Sequence, residues 1–183
     1  FSTLLGSDAF QEVDVIGCTT TVTKWNIQIT KAEDIPAAMS KAFRIANSGR
    51  PGPVLVDITK DAQLQSFDFS YNKDIVIRSY RPLPILDKSA IAQAAELINS
   101  AKKPLILSGH GVHIAKAQDL LKTFVEKTGI PVATTIHGLS TLSVDHELSV
   151  GMLGMHGNVG PNILTNSCDV LIAIGMRFDD RVT

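Results

Sequence analysis

The spacing of apolar residues in the first part of the chain predicts an extended region, a helix and a strand. Residues 19–29 are rich in Thr and Val, which favours a strand or an extended loop. From Asp34 the apolar positions recur at helical spacing, with Asp34 as a cap and Pro36 in the first turn. These positions are Ile35, Met39, Ala42, Phe43 and Ala46. The apolar run Val54–Ile58 then predicts a strand, and Lys60 emerges at its carboxyl end.

The second part of the chain alternates between apolar runs and amphipathic segments. The apolar runs, which predict strands, are residues 105–108, residues 130–135 and Val170–Ile174. Helical spacing marks residues 91–98 and residues 117–125, and Gly129 stops the second of these helices. Repeated strand-then-helix alternation predicts an α/β fold with a doubly wound, Rossmann-like parallel sheet in residues 86–183.

Between Ala62 and Pro84 the periodic pattern fails, and Gln, Ser, Asp and Tyr are interleaved. We therefore predict an interdomain connection at residues 66–85, which joins part of another α/β domain, residues 1–65, to the domain at residues 86–183. The chain has no initiator Met and stops just beyond a predicted strand. We expect it to be a fragment of a longer protein.

A binding site is indicated near the end of the chain. Val170–Ile174 is uniformly apolar, as is typical of a strand covered on both faces. Gly175 follows at its carboxyl end, where open parallel sheets bind ligands. The turns at Gly109 and Thr135 follow two other predicted strands. We expect these three strand ends to converge on one crevice.

A helix start next to this crevice is expected to suit an anion. Asn158 can cap that helix with its side-chain oxygen, and Pro161 fits the first turn. Gly157 would let a ligand approach the free N–H groups of the helix start.

Composition narrows the possible functions. The 183 residues carry a formal net charge of -1, which provides no basic face for nucleic acid. No apolar run is long enough to span a bilayer. Cys18 and Cys168 lie far apart without a signal peptide, so we expect two reduced thiols in an intracellular protein.

The pair Gly109 and Gly111 after a strand is compatible with a dinucleotide site, because glycine permits a tight turn and a close approach to a pyrophosphate. Ile114 occupies the third glycine position, and no Asp or Glu closes the second strand to hold a ribose hydroxyl. An NAD site is therefore disfavoured. Two interpretations of Gly109 and Gly111 remain: an ordinary strand-to-helix turn, and a binding site for another nucleotide cofactor. The other loops that contain glycine favour the cofactor site.

Two further groups of residues are open to more than one interpretation. His110 and His113 can share a helix face, but no Cys or carboxylate lies beside them at metal-like spacing, so zinc is disfavoured. Asp179, Asp180 and Arg181 can form a loop that pairs with itself, or can hold an arginine that binds a substrate carboxylate with two hydrogen bonds.

Five stretches resemble one known family. They are Ser-Asp-Ala-Phe-Gln-Glu at 7–12, Val-Thr-Lys-Trp-Asn at 22–26, Gly-Arg-Pro-Gly-Pro-Val-Leu-Val-Asp at 49–57, Gly-Met-Leu-Gly-Met-His-Gly at 151–157 and Arg-Phe-Asp-Asp-Arg-Val-Thr at 177–183. Together they resemble the catalytic large subunits of the acetolactate synthases, which are thiamine-diphosphate enzymes. The resemblance covers essentially the whole chain, and its last two stretches are highly specific. It implies the end of a pyrimidine-binding domain followed by the first part of a central FAD-binding domain.

The resemblance also implies site residues. Those implied to contact FAD are Arg50, Gly109, Thr135, Ile136, Leu153, Gly154, Met155, His156, Gly175, Met176, Arg177, Phe178 and Asp179. Phe10, Gln11 and Lys60 would line the active site, and Arg181 would hold the carboxylate of the incoming 2-ketoacid. Gln11, Lys60 and Arg181 are the candidate catalytic residues. His110 stands where the family usually has a glycine, which implies either a side chain turned away from the flavin or altered FAD binding.

By the same resemblance, the reaction is a thiamine-dependent decarboxylation of pyruvate followed by condensation with pyruvate or 2-ketobutyrate. Thiamine diphosphate and Mg²⁺ would bind largely through residues outside this chain, so the fragment alone is expected to be inactive. The expected partners are copies of the chain in a dimer or larger oligomer, and a regulatory small subunit. The expected compartment is the cytoplasm in bacteria and a plastid or mitochondrion in eukaryotes. Two alternatives stay open: another thiamine-diphosphate carboligase or decarboxylase, and a non-catalytic nucleotide-binding module of the same fold.

Overall fold

The computed structural model of the chain describes residues 1–10, 12–71, 73–78 and 85–182. The chain divides into two compact units, Phe1–Ile85 and Leu86–Thr183. Both are α/β units whose paired strands run parallel. For the second unit this confirms the prediction from its alternating pattern.

The first unit is built on a strand–helix–strand arrangement. Its elements are α1 Val15–Thr19, β1 Trp25–Ile29, α2 Ile35–Asn47, β2 Val54–Ile58 and α3 Lys60–Leu64, with 3₁₀ turns at Ser2–Leu4 and Ala32–Asp34. β1 and β2 pair in parallel, and α2 connects them. The buried residues of α2 are Pro36, Ala38, Ser40 and Ala42. The helix predicted from Asp34 and the strand predicted at Val54–Ile58 are confirmed, but the Asp34 side chain makes no capping hydrogen bond.

The extended conformation expected from residue 19 onward is wrong for its first part. Thr19 ends α1, and β1 starts only at Trp25. The Thr19 hydroxyl donates to the Val15 carbonyl at 2.6 Å, and the Thr20 hydroxyl donates to the Ile16 carbonyl at 2.7 Å. These hydroxyl groups satisfy carbonyls at the helix end, which offsets the preference of threonine for strands.

The second unit is a four-stranded parallel sheet with helices between its strands. Its elements are α4 Lys88–Ser100, β3 Pro104–Ser108, α5 His110–Ile114, α6 Gln118–Thr128, β4 Val132–Thr134, β5 Ser149–Met152, α7 Val159–Ser167 and β6 Val170–Ile174, with a 3₁₀ turn at Ile136–Gly138. The strand order is β5-β4-β3-β6. Gly129 ends α6 in the left-handed conformation with φ 68°, which confirms it as the stop.

The central strand β3 separates two apolar clusters. Ile106 belongs to one, which contains Leu121 and Val125 of α6. Leu105 and Leu107 belong to the other. Successive side chains of a strand point to opposite faces, so β3 is buried on both sides and anchors the turn that follows it.

The two outer strands differ from what the sequence suggested. β6 was expected to be covered on both faces, but Ile172 and Ile174 pack against the core while Leu171 and Ala173 are exposed. Among the described strands, β6 is an edge strand, and only one of its faces packs on the core. β5 was not predicted, because its four residues include Gly151 and give no apolar run.

The predicted helix before β3 is confirmed as α4. The Asp87 carboxylate accepts from the Ser89 and Ala90 amides at 2.9 and 3.1 Å and caps its first turn. Ile98 packs against the core, whereas Ile91 is exposed. In the part of the chain that the structure describes, no helix combines the length and apolarity needed to cross a bilayer. Cys18 and Cys168 are both free thiols.

Candidate functional site

The carboxyl ends of the four parallel strands lie along one edge of the second unit. Gly109 follows β3, Thr135 follows β4, Leu153 follows β5 and Gly175 follows β6. Because β4, β3 and β6 are neighbours, the three turns that were expected to meet lie side by side. We call this edge, formed by the residues that follow the four strands, the carboxyl edge.

The glycine turns after β3 and β6 are packed directly against each other. A Cβ atom on Gly109 would lie 2.5 Å from the Met176 Cβ, and one on Gly111 would lie 2.6 Å from the Gly175 Cα. The Gly111 amide donates to the Gly175 carbonyl at 2.7 Å. Any larger residue at these positions would therefore push the two turns apart. Here the glycines first of all allow backbone to pack on backbone.

The turn after β4 is fixed to β3 by residues that sequence analysis did not single out. The buried Thr141 hydroxyl lies 2.7 Å from the Ser108 hydroxyl and donates to the Gly138 carbonyl at 2.8 Å. A Cβ atom on Gly138 would lie 2.2 Å from the Ser108 carbonyl oxygen. Nothing in the polar spacing of residues 137–146 distinguishes Thr141 from a surface threonine, so only tertiary structure shows its role.

Replacing Thr141 with valine is expected to lower the free energy of unfolding by about 1–3 kcal/mol, because the Ser108 hydroxyl would stay buried without this partner. Thr123→Val is the matched control, since the Thr123 hydroxyl is exposed and, among the described residues, donates to the Asp119 carbonyl of its own helix. Urea denaturation followed by circular dichroism measures both changes. Equal stability of the two variants would contradict the role given to Thr141.

The loop after β5 is held by an asparagine from α7. The Asn162 side chain accepts from the Gly154 amide at 2.8 Å and donates to the Gly154 carbonyl at 3.0 Å. Leu153 and Gly154 are buried, whereas Met155 and His156 are exposed. The backbone of this loop is therefore fixed at Gly154, and the side chains of Met155 and His156 at its tip are accessible to a ligand.

The start of α7 differs from the expected capping arrangement. Asn158 is at the cap position, but its side chain makes no capping hydrogen bond and accepts from the Met152 amide at 3.2 Å instead. The predicted side-chain cap is therefore wrong, because β5, which was not foreseen, competes for that oxygen. A Cβ atom on Gly157 would lie 2.4 Å from the Met152 carbonyl oxygen, so Gly157 packs against β5. Pro161 lies in the first turn of α7, as expected.

Large apolar side chains are exposed along the carboxyl edge. Ile136, Met155 and Phe178 follow three different strands and are 65%, 61% and 66% exposed. They give this edge an apolar surface beside its tightly packed backbone turns.

The charged loop after β6 forms ion pairs and also leaves one arginine available. Arg177 donates to the Asp179 carboxylate at 2.7 Å. The Arg181 amide also donates to Asp179, at 2.9 Å, and this bond, with the charge of Arg177, holds the pKa of Asp179 below its usual value. The Arg181 side chain is 70% exposed, and its Nε lies 3.7 Å from Asp180. The Met155 amide donates to the Arg181 carbonyl at 3.1 Å, which ties this loop to the loop after β5.

Three histidines gather beside the glycine turn after β3. The ring of His110 lies 6.0 Å from that of His113 and 5.8 Å from that of His137. Within the described ranges, no group of three or more His, Cys, Asp or Glu side chains is arranged to hold a metal ion.

The other expected site residues belong to the first unit. Phe10 is 92% exposed, Arg50 is exposed, and Gln11 lies outside the described residues. Lys60 begins α3, and its ammonium lies 5.4 Å from the centre of the Phe1 ring. Next to it, the Asp61 carboxylate accepts from the Ser2 amide at 2.9 Å and from the Ser2 hydroxyl. These bonds, chiefly that from the hydroxyl, hold the pKa of Asp61 well below its usual value and fix the first turn of the chain beside Lys60.

A concavity of about 400 Å³ lies at the opposite edge of the second unit, near the amino ends of β3 and β4. Its lining includes Lys102, Lys103, Pro131, Leu164 and Cys168. It contains none of the residues of the carboxyl edge. Because parallel α/β sheets bind ligands at the carboxyl ends of their strands, we place the candidate site at the carboxyl edge.

Comparison with known proteins identifies the class to which this fold and edge belong. Residues 91–183 match the family model described as the thiamine pyrophosphate enzyme central domain. The chain therefore belongs to the thiamine pyrophosphate enzyme family. A solved structure of a protein from Mycobacterium smegmatis, described as a thiamin diphosphate-dependent enzyme, covers 85% of this chain with 31% identity and a TM-score of 0.66; the match spans 29% of that structure's chain.

Among the curated relatives, the chain is similar to acetolactate synthase large subunits. It is 50% identical over 182 residues to the acetolactate synthase large subunit of Corynebacterium glutamicum, covering 100% of this chain and 29% of the relative. It is 43% identical over 182 residues to acetolactate synthase 2, chloroplastic, of Nicotiana tabacum, covering 98% of this chain and 27% of the relative. The chain thus spans less than a third of the length of these relatives. The resemblance drawn from its motifs is confirmed.

Proposed function

We propose that this chain forms part of an acetolactate synthase. Such an enzyme decarboxylates pyruvate and condenses the product with a second 2-ketoacid, pyruvate or 2-ketobutyrate, in branched-chain amino-acid biosynthesis. The observation that carries the proposal is the similarity to acetolactate synthase large subunits over the whole chain, including the carboxyl edge with its Arg-Phe-Asp-Asp-Arg loop.

FAD is the ligand proposed for the carboxyl edge. The exposed side chains of Ile136, Met155 and Phe178 fit an isoalloxazine or adenine ring. No atom lies within 4 Å of the position that a Cβ on Gly160 would take in the first turn of α7, and the amides of a helix start favour a phosphate. These features of size, polarity and donor chemistry support a flavin nucleotide.

The resemblance implies further residues that would contact FAD. They are Arg50, Gly109, Thr135, Leu153, Gly154, His156, Gly175, Met176, Arg177 and Asp179. Since acetolactate formation involves no net oxidation or reduction, the proposed role of FAD is structural. It would fill the carboxyl edge and hold the loops that carry Met155 and Arg181.

Thiamine diphosphate, when bound, supplies the electron sink that decarboxylation of a 2-ketoacid requires. This chain would contribute Phe10, Gln11 and Lys60 to the wall of the active site. The proposed role of Arg181 is to bind the carboxylate of the second 2-ketoacid and to orient its carbonyl group. We propose that the ligands of Mg²⁺, which would bind the diphosphate, lie outside this chain.

The domain organisation that we propose is that of the acetolactate synthases. Residues 1–65 would end a pyrimidine-binding domain, residues 66–85 would be the linker, and residues 86–183 would begin the central FAD-binding domain. The proposed partners are further copies of the protein, in a dimer or larger oligomer, and a regulatory small subunit. The proposed location is the cytoplasm in a bacterium, and a plastid or mitochondrion in a eukaryote, where the tobacco relative named chloroplastic gives a precedent.

The test is acetolactate formation from pyruvate by the full-length protein with thiamine diphosphate and Mg²⁺, with FAD added or withheld. We expect acetolactate, and we expect its formation to depend on FAD. A different carboligation product would favour another thiamine-diphosphate enzyme. FAD binding without any product would favour a non-catalytic nucleotide-binding module. Activity that does not depend on FAD would contradict the cofactor role proposed for the carboxyl edge.

A further inference from the structure

The turn after β3 can present only one side chain to the carboxyl edge. Gly109 and Gly111 lie against Gly175 and Met176, so neither position has room for a Cβ atom. His110 lies between them and is exposed. Its side chain is therefore placed at the edge by backbone packing on both sides of it.

One nitrogen of the His110 ring is hydrogen-bonded within the protein, and the other is available to a ligand. Its Nδ1 lies 3.2 Å from the His137 carbonyl oxygen, and a carbonyl can only accept, so Nδ1 carries the proton. The neutral ring then presents Nε2 as an acceptor, for which no partner is found among the described residues.

His113 makes a useful contrast on the same short helix. Its Nε2 donates to the Leu139 carbonyl at 2.9 Å, and its Nδ1 accepts from the Gln118 amide at 3.0 Å. Both of its nitrogens are used within the protein. Of these two histidines, only His110 keeps a nitrogen for a ligand.

The turn after β4 lacks the acceptor that dinucleotide-binding sheets usually carry there. In dinucleotide-binding sheets, an acidic residue after the second strand usually accepts from a ribose hydroxyl. Here β4 is followed by Thr135, Ile136 and His137, none of which carries a carboxylate. We propose that His110 Nε2 accepts a hydrogen bond from a hydroxyl group of the bound flavin nucleotide, on its ribose or on its ribityl chain. This inference rests on the FAD site proposed above.

The experiment measures FAD binding by the full-length apoprotein, from the quenching of flavin fluorescence. His110→Ala is expected to raise the Kd roughly two- to tenfold, which is the effect of losing one hydrogen bond. His110→Gln, which restores an acceptor, is expected to recover part of that loss. His137→Gln keeps the backbone carbonyl that orients His110, and it is expected to leave the Kd unchanged.

Two smaller ligands identify the hydroxyl group. ADP contains the ribose without the ribityl chain, and riboflavin contains the ribityl chain without the ribose. Weaker binding of either one to His110→Ala supports the inference and tells which hydroxyl is bound. Unchanged or tighter binding of FAD, ADP and riboflavin would overturn it while the proposed function stands. A wild-type protein that binds no FAD would overturn this inference together with the FAD site proposed above, and acetolactate formation would still test the proposed activity.

Discussion

Replacing Gly175 with alanine is expected to lower the free energy of unfolding by about 2–5 kcal/mol. Gly175 has φ 62°, a conformation that costs an L-residue about 1–2 kcal/mol. Its new Cβ atom would also lie 2.6 Å from the Val112 amide nitrogen and 2.8 Å from the Gly111 carbonyl carbon. Both are backbone atoms that cannot rotate away, so the turns after β3 and β6 must separate, at a cost of about 1–3 kcal/mol.

Gly160→Ala is the matched control for this prediction. Gly160 lies in the first turn of α7, and no atom lies within 4 Å of the position its Cβ would take. Because alanine is the better helix former, this variant should be as stable as the wild type or slightly more stable. Urea denaturation followed by circular dichroism measures both changes. A Gly175→Ala variant as stable as Gly160→Ala would show that the two turns are not held together as described.

Replacing Arg181 with alanine in the full-length enzyme is expected to reduce acetolactate formation by about 100-fold, the size of effect that misplacing a reactant produces. The Arg181 backbone is fixed by Asp179 and Met155, while its guanidinium is largely exposed and only loosely paired with Asp180. This arrangement holds the residue in place and leaves its donors free for a carboxylate. The lower rate should arise in the condensation with the second 2-ketoacid, because that is the substrate assigned to Arg181.

Measuring two reaction rates distinguishes a role in binding the second 2-ketoacid from a general loss of enzyme activity. Release of carbon dioxide from pyruvate measures the first step, and acetolactate measures both steps. Arg181→Lys keeps the charge but not the paired hydrogen bonds, so its acetolactate rate should fall between the wild-type and alanine rates. Equal losses in both steps would argue against a role in binding the second substrate.

The sequence alone predicted the helices and strands whose apolar residues follow a regular spacing or form a continuous run. The helical spacing after Asp34 gives α2, and the apolar runs give β2, β3, β4 and β6, because these elements bury apolar side chains in a regular order. The same alternation gives the parallel sheet and brings the turns at Gly109, Thr135 and Gly175 to one edge. The motifs identified the family because they combine unusual residues in a fixed order.

What the sequence did not predict depends on contacts between distant segments. β5 is short and contains Gly151, so it exists only because β4 offers it a partner. That pairing places the Met152 amide beside Asn158, whose oxygen then does not cap α7. Thr141 looks like a surface residue until it is found against Ser108. Likewise, β6 is apolar throughout, and its pattern does not show that only one of its faces is covered.

The packing of Gly111 on Gly175 also predicts how amide protons at the carboxyl edge exchange with solvent. The Gly109 amide donates to the Ile174 carbonyl at 3.0 Å, and the Gly111 amide donates to the Gly175 carbonyl at 2.7 Å. Although both amides lie in turns, their deuterium uptake requires β3 and β6 to separate. We therefore expect them to exchange as slowly as the amides of the central strand, as members of one cooperative unit. Exposed residues at the loop tips, such as Met155, would then be mobile, while the backbone of the turns below them opens only when β3 and β6 separate.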